Sequence, residues 1–142
     1  MKKSVMLSIR GTQFYEEQDP EVIELVTEGT MEYRDGGWDL CYEESELTGL
    51  KGVTTTFRVT PGKIVLTRTG PMSSEMVFQE DVFHESLYRA EFGITLMITV
   101  CASKVRFSLD ENGGQIDLTY AIDIEQSACG VIEYHLDIQV KE

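Results

Sequence analysis

The chain has 142 residues, the length of one ordinary domain, and its composition of 42% hydrophobic and 26% charged residues excludes a disordered or collagen-like protein. Its 25 acidic and 12 basic residues give a formal net charge of −13, which disfavours binding to nucleic-acid phosphates or to an anionic membrane surface. We therefore predict a single domain over residues 1–142, with neither nucleic acid nor a membrane as a partner. Charge and length leave the oligomeric state open.

The chain begins with a predicted strand rather than a signal peptide. Val5, Leu7 and Ile9 alternate with polar residues, whereas a signal peptide needs a continuous apolar stretch of about 7–15 residues. The three cysteines are odd in number and widely spaced, which does not suggest a disulfide framework. We expect a cytoplasmic protein.

Alternation of apolar and polar residues with a period of two recurs along the chain, as is typical of antiparallel strands with one buried and one solvated face. After the first strand, the runs are Trp38–Glu46, Val53–Val59, Lys63–Gly70, Ile94–Val100, Val105–Leu109, Ile116–Ile124 and Ile132–Val140. Turn signals separate several of them: Asp35-Gly36-Gly37, Thr60-Pro61-Gly62 and Asn112-Gly113-Gly114. The pattern predicts an all-β fold of about nine or ten short strands, either an up-and-down barrel or a two-sheet sandwich.

Two segments admit a helix as an alternative. Asp19-Pro20-Glu21 resembles a helix N-cap with proline at the first helical position, followed by the apolar stretch from Val22 to Val26. Between Ser73 and Glu91, four apolar residues fall at helical offsets. Because the neighbouring segments are strands and β-branched residues are frequent, we favour strands at both places.

The sequence offers no motif for metal or cofactor chemistry. Its two histidines, His84 and His135, lack Cys-x-x-Cys or His-x-x-x-His spacing, and no glycine-rich phosphate loop opens a helix after a strand. We expect no cofactor and no metal. An enzyme is not favoured, although a cysteine–histidine pair that meets only in space stays open.

One set of polar residues falls on apolar strand faces. Arg68 lies on the apolar side of its strand, and Glu44 shares the apolar side of another strand with Tyr42. Because a buried charge needs a partner, we predict that Glu44 and Arg68 point into the barrel and pair there. They form a candidate ligand site with Tyr42, Tyr120 and, on a segment of ambiguous phase, Arg89. The alternative is that both charges lie at strand ends and point to water.

Several short motifs are spread over nearly the whole chain: Leu40-Cys41-Tyr42-Glu43-Glu44, Leu66-Thr67-Arg68-Thr69-Gly70, Tyr88-Arg89-Ala90-Glu91-Phe92-Gly93 and Gly114-Gln115-Ile116-Asp117-Leu118-Thr119-Tyr120. Together they resemble the YwiB-like family of bacterial proteins. The chain departs from that family at Arg89-Ala90-Glu91-Phe92, where many relatives read Tyr-x-Thr-Pro-Tyr-Gly. The resemblance implies a closed calycin-type, lipocalin-like β-barrel. It also implies a family of uncharacterised function, with no catalytic residues to carry over.

We therefore predict a single calycin-like β-barrel of about 8–10 antiparallel strands. The favoured function is non-catalytic binding of a small, partly apolar molecule inside the barrel, because barrels of this type often enclose a cavity. The alternative is a protein-interaction or structural module whose interior is filled by side chains. A pocket of several hundred cubic ångströms favours the first reading, and a solid interior favours the second.

Overall fold

The computed structural model describes residues 2–14, 19–44, 51–89, 93–125 and 127–141. Within these ranges the chain forms ten β-strands and no α-helix. The strands are β1 (Lys3–Phe14), β2 (Glu21–Arg34), β3 (Gly37–Glu43), β4 (Thr54–Thr60), β5 (Lys63–Thr69), β6 (Ser74–Phe78), β7 (Phe83–Arg89), β8 (Thr95–Asp110), β9 (Gly113–Ile124) and β10 (Ser127–Val140). The predicted strand end at Ser45 and Glu46 lies outside the described residues, as does the motif segment 90–92.

All ten strands belong to one antiparallel sheet in the order β6-β5-β4-β3-β2-β1-β10-β9-β8-β7. Pairing of β1 with β10 joins the two halves of the meander, so that the outer strands β6 and β7 approach each other. Ser73 and Arg89 exchange two backbone hydrogen bonds of 2.8 and 2.7 Å at this seam. The sheet is therefore a nearly closed barrel, which confirms the all-β barrel prediction and excludes the two-sheet sandwich.

The hairpin turns follow the predicted glycine signals. Between β2 and β3, Asp35 and Gly36 both have positive φ, 51° and 79°, as a type I′ turn requires. Both segments with a helical alternative are strands: the first lies in β2, and the second forms β6 and β7. Hydrogen bonding to neighbouring strands outweighs the local helix signals there, because a helix would remove the pairing of β2 with β1 and β3, or of β6 with β5 and β7 with β8.

One long strand, β8, keeps its apolar residues inside by means of a bulge. In β8 the inward positions are even-numbered up to Ala102 and odd-numbered from Val105, with a register shift between Ala102 and Lys104. The sequence shows these as two separate alternating runs of opposite phase. A bulge adds one residue to one strand of a pair, which restores the apolar face to the interior. A second shift between Ala128 and Gly130 lies at the start of β10.

The interior of the barrel is a core of apolar side chains that meet from all sides. The largest that are at most 2% exposed include Leu7, Phe57, Phe78, Leu118 and Leu136. Burying one leucine or phenylalanine side chain contributes about 1.5–3 kcal/mol, so this core supplies most of the driving force for folding. The polar residues described below lie inside the barrel beyond this packed region.

Candidate functional site

A pocket of about 400 Å³ lies inside the barrel, at the end where β1 and β3 finish and β2 and β10 begin. Its lining consists of inward positions of β1, β2, β3, β5, β9 and β10, together with the residue that follows β3. The apolar part of the lining is Ile9, Gly11, Ile23, Leu25 and Ile132. The polar and aromatic part includes Tyr42, Glu44, Arg68, Tyr120 and Tyr134. The pocket therefore has an apolar side and a polar side.

The polar side is built on a row of paired residues that crosses four strands. Tyr42 in β3 pairs with Thr55 in β4, Thr55 pairs with Arg68 in β5, and Arg68 pairs with Ser74 in β6. Paired residues in neighbouring strands point to the same face of a sheet, here the interior. Among the described residues, the buried polar side chains are Glu44, Thr55 and Ser74, all in or beside this row. The buried polar side chains are therefore concentrated at one place, next to the pocket.

Glu44 is the buried anion of the site. Its backbone N–H donates to the carbonyl of Val53 at 2.8 Å, which continues the β3–β4 pairing by one residue and fixes its direction. Its side chain is 2% exposed. The Thr55 hydroxyl donates to Glu44 Oε2 at 2.5 Å, so the carboxylate has one strong neutral donor.

Arg68 is the cation of the site, and it is partly buried. Its Nε lies 3.8 Å from Glu44 Oε2, which is within ion-pair range and too long for a hydrogen bond. The same Nε is buried and has no hydrogen-bond partner among the described residues. The side chain as a whole is 20% exposed and lines the pocket, so its accessible atoms face the space that a ligand would occupy.

Three tyrosines complete the polar side. A side-chain hydrogen bond joins Tyr42 to Tyr134, and the Tyr120 ring packs against Phe78 with 4.6 Å between the ring centroids. Burial raises the pKa of Tyr42, Tyr120 and Tyr134 above the usual value near 10. The three phenols are therefore neutral at physiological pH, and they offer hydroxyl groups rather than charge.

Four of the five predicted site residues lie together. Tyr42, Glu44, Arg68 and Tyr120 all line the pocket, and Glu44 and Arg68 point inward rather than to water. Arg89 lies elsewhere: its side chain is exposed on β7, and its backbone holds the seam to Ser73. The role of these five residues in ligand binding stays a prediction.

Sequence analysis did not single out Thr55, Tyr134 or the apolar lining of β2. Thr55 carries the same signal as Arg68, a polar residue in phase with buried neighbours. Tyr134 lies in the inward phase of β10 and packs opposite Gly11 of β1, a pairing between distant parts of the chain that the sequence does not reveal.

The outer face carries a separate charged row. His135 Nδ1 lies 2.5 Å from Asp117 Oδ1, and His135 Nε2 lies 3.1 Å from Asp137 Oδ2. The residue paired with His135 on β1 is Arg10. Among the described residues, no three histidine, cysteine, aspartate or glutamate side chains are grouped so that they could hold a metal ion. None of the described segments is a helix of the length and apolarity needed to cross a membrane.

Comparison with known proteins identifies the family. The crystal structure of the ywiB protein from Bacillus subtilis superposes with a TM-score of 0.86, covering 99% of this chain and 94% of that chain at 20% sequence identity. At that identity the likeness establishes the fold alone. No curated protein matches the sequence significantly. Residues 7–138 match the sequence profile described as "Domain of unknown function (DUF1934)". The predicted YwiB-like resemblance is thereby confirmed, and the chain belongs to the DUF1934 family.

Proposed function

We propose that this protein is a non-catalytic binder of a small, partly apolar molecule, held in the pocket inside the barrel. The observation that carries the proposal is the pocket itself. Its volume of about 400 Å³ falls in the range of small-ligand sites, about 300–1,000 Å³. Apolar side chains with a few fixed polar groups are the usual lining of such sites.

The buried polar groups support the same proposal. A barrel that served only as a scaffold would gain stability by filling this end with apolar residues, because buried charges are expensive to desolvate. Glu44 and Arg68 instead lie beside an open space, with Thr55 and three tyrosines around them. Groups of this kind orient a ligand at the cost of some stability.

A pocket-filling variant tests the proposal. Gly11 lines the pocket, its φ is not in the left-handed region, and an added Cβ meets the Tyr134 ring at an ordinary contact of 3.5 Å. Gly11→Leu therefore introduces no backbone strain and no clash at Cβ, and we expect its side chain to occupy pocket volume. The neutral dye N-phenyl-1-naphthylamine is the probe, and we expect Gly11→Leu to abolish its binding. Ser8→Leu places the same side chain on the exposed face of the same strand, where binding is expected to match the wild type.

Two results contradict this proposal. The first is a wild-type protein that does not bind the dye and carries no small molecule in native mass spectrometry after purification from its own host. The second is dye binding that Gly11→Leu and Ser8→Leu leave equally intact, because the dye then lies on the outer surface.

The second candidate function is a protein-interaction module. A specific observation favours it: Phe83 and Leu87 are 73% and 49% exposed on the outer face of β7, and Met97, the β8 partner of Leu87, is 38% exposed. An exposed apolar group of this kind often marks an interaction surface. A failure of the pocket test, combined with self-association that Phe83→Ser abolishes in analytical ultracentrifugation, would favour this function.

We also infer a cytoplasmic location and partners other than nucleic acid or membranes. The cytoplasmic location is supported by the free thiols of Cys41 and Cys101, because reducing compartments keep thiols unpaired. The inference about partners is supported by the net charge of −13, because a negatively charged protein repels the phosphate groups of nucleic acids and anionic lipids.

A further inference from the structure

The polar side of the pocket offers hydrogen-bond donors more readily than acceptors. The guanidinium of Arg68 is a donor only, and its side chain lines the pocket with 20% of its surface exposed. Tyr42 and Tyr134 share one hydrogen bond, so one of their two hydroxyl protons remains to be donated, whichever group donates in that bond. The principal acceptor, Glu44, already receives the Thr55 hydroxyl at Oε2. A ligand that complements this surface supplies an acceptor.

The charges of the lining disfavour an ionic ligand of either sign. Arg68 and Glu44 compensate each other across 3.8 Å, and Glu21 adds one more acidic residue to the lining. A carboxylate placed against Arg68 would lie close to Glu44 in a region of low dielectric, and the whole chain adds a field of net charge −13. An ammonium group placed at Glu44 would face Arg68 in the same way. Neither ion finds an uncompensated partner at the Glu44–Arg68 pair.

We propose that the pocket binds a neutral amphiphile whose polar end is a carbonyl-type oxygen, such as that of a ketone, ester or amide. The oxygen accepts hydrogen bonds from Arg68 and a tyrosine hydroxyl, and the apolar part lies against Ile9, Leu25 and Ile132. This inference rests on the proposed binding function and specifies the chemical class of ligand that the site takes. A hydrogen bond from a charged donor contributes about 1.5–3 kcal/mol, which corresponds to about tenfold or more in affinity.

The test compares three nine-carbon compounds that differ only in the polar end: 2-nonanone, which is neutral, nonanoate, which is an anion, and nonylamine, which is a cation at pH 7. Each displaces N-phenyl-1-naphthylamine from the wild-type protein in a fluorescence titration. We expect 2-nonanone to bind at least tenfold more tightly than either ion. We expect Arg68→Met to lower the affinity for 2-nonanone by about tenfold. Arg58→Met, on the outer face, is expected to leave the affinity for 2-nonanone unchanged.

The outcomes separate this inference from the proposed function. Dye binding without a preference for 2-nonanone overturns the inference and leaves the binding function standing, as does a preference for nonanoate or nonylamine. Absence of binding of the dye and of all three compounds overturns the inference, and it overturns the binding function as well when native mass spectrometry also finds no small molecule in the protein from its own host. Because Arg68→Met removes one member of a buried pair, the wild-type series decides the question even if that variant does not fold. Arg68→Lys is the second variant, because it keeps the positive charge but loses the planar donor group. If Arg68→Lys and the wild type bind 2-nonanone with equal affinity, the role given to the guanidinium is contradicted.

Discussion

Arg68 Nε lies 3.8 Å from Glu44 Oε2 inside the barrel, with the glutamate side chain 2% exposed and the arginine side chain 20% exposed. Two charges removed from water attract each other, but each also loses its hydration, so such a pair adds little net stability. Loss of one member is costly, because the other charge is then buried without compensation. The pair therefore makes both residues structurally necessary, and it fixes the polar side of the pocket.

Removing the cation tests this dependence. We expect Arg68→Met to lower the free energy of unfolding by about 3 kcal/mol, near the low end for buried pairs because the ion pair is long and Arg68 keeps some solvent contact. Urea denaturation followed by circular dichroism measures the change. Arg58→Met is the matched control on the outer face, because Asp39 keeps Arg34 at 2.7 Å and its carboxylate stays paired, so we expect a clearly smaller loss than for Arg68→Met. Equal, small losses in the two variants would show that Glu44 does not depend on Arg68.

A second substitution isolates the neutral donor to Glu44. Thr55→Val keeps the shape and the β-branching of the side chain but removes the hydroxyl that donates to Glu44 Oε2 at 2.5 Å. A hydrogen bond to a charged group contributes about 1.5–3 kcal/mol, and we expect a loss of that size in urea denaturation. Thr56→Val is the neighbouring control on the opposite face of β4, where the hydroxyl makes only a long contact of 3.7 Å with Cys41 Sγ, and the expected change is within about 0.5 kcal/mol. A Thr55→Val protein as stable as Thr56→Val would contradict the assigned role.

The fold could be predicted from the sequence to a large extent, because its determinants are local. Alternation fixes which face of each strand is buried, and glycine-containing turns such as Asp35-Gly36 fix where hairpins begin and end. The bulge after Ala102 explains why one strand of 16 residues has the sequence pattern of two. A phase change of this kind is equally consistent with a break between strands, so the sequence alone does not distinguish the two.

The site could be predicted only in part. An arginine or a glutamate in phase with buried residues is a local signal, and this signal found Arg68 and Glu44. The partners of those residues depend on pairings between separate strands, such as Thr55 with Arg68. The contact between Tyr42 and Tyr134 depends further on closure of the barrel through β1 and β10, which joins the two ends of the chain. Arg89 belongs to a segment without clear alternation, and for that reason its side could not be assigned.

The charged row on the outer face predicts a pH dependence of stability. The hydrogen bond to Asp117 raises the pKa of His135, and Asp137 adds to the effect. Because the folded protein holds the imidazolium more tightly than the unfolded chain, whose histidine pKa is near 6.5, this stabilisation is complete below about pH 6.5. It is lost as the pH rises through the folded-state pKa. The effect is modest, since the His135 side chain is 37% exposed and solvent screens the interaction.

Urea denaturation at pH 6 and pH 8.5 measures this dependence, and an NMR titration of the imidazole gives the folded-state pKa. His135→Gln is expected to reduce the difference in stability between the two pH values. Asp117→Asn is expected to return the pKa of His135 toward 6.5. A pKa that does not respond to Asp117→Asn contradicts the structure's assignment of the main partner.

The three pocket tyrosines predict the behaviour of the protein in alkali. Burial raises the pKa of Tyr42, Tyr120 and Tyr134, so the folded protein keeps these protons at a pH where the unfolded chain, with tyrosine pKa values near 10, begins to lose them. The stabilisation is therefore complete below about pH 10 and is lost as the pH rises above that value. We expect these three tyrosines to ionise, by absorbance at 295 nm, only together with the loss of the circular dichroism signal of the sheet. Tyr120→Phe should reduce the absorbance change of this step by about one third. Complete ionisation of all tyrosines in a protein whose circular dichroism is still native would show that water reaches the phenols, and the polar side of the pocket would then be more open than the structure indicates.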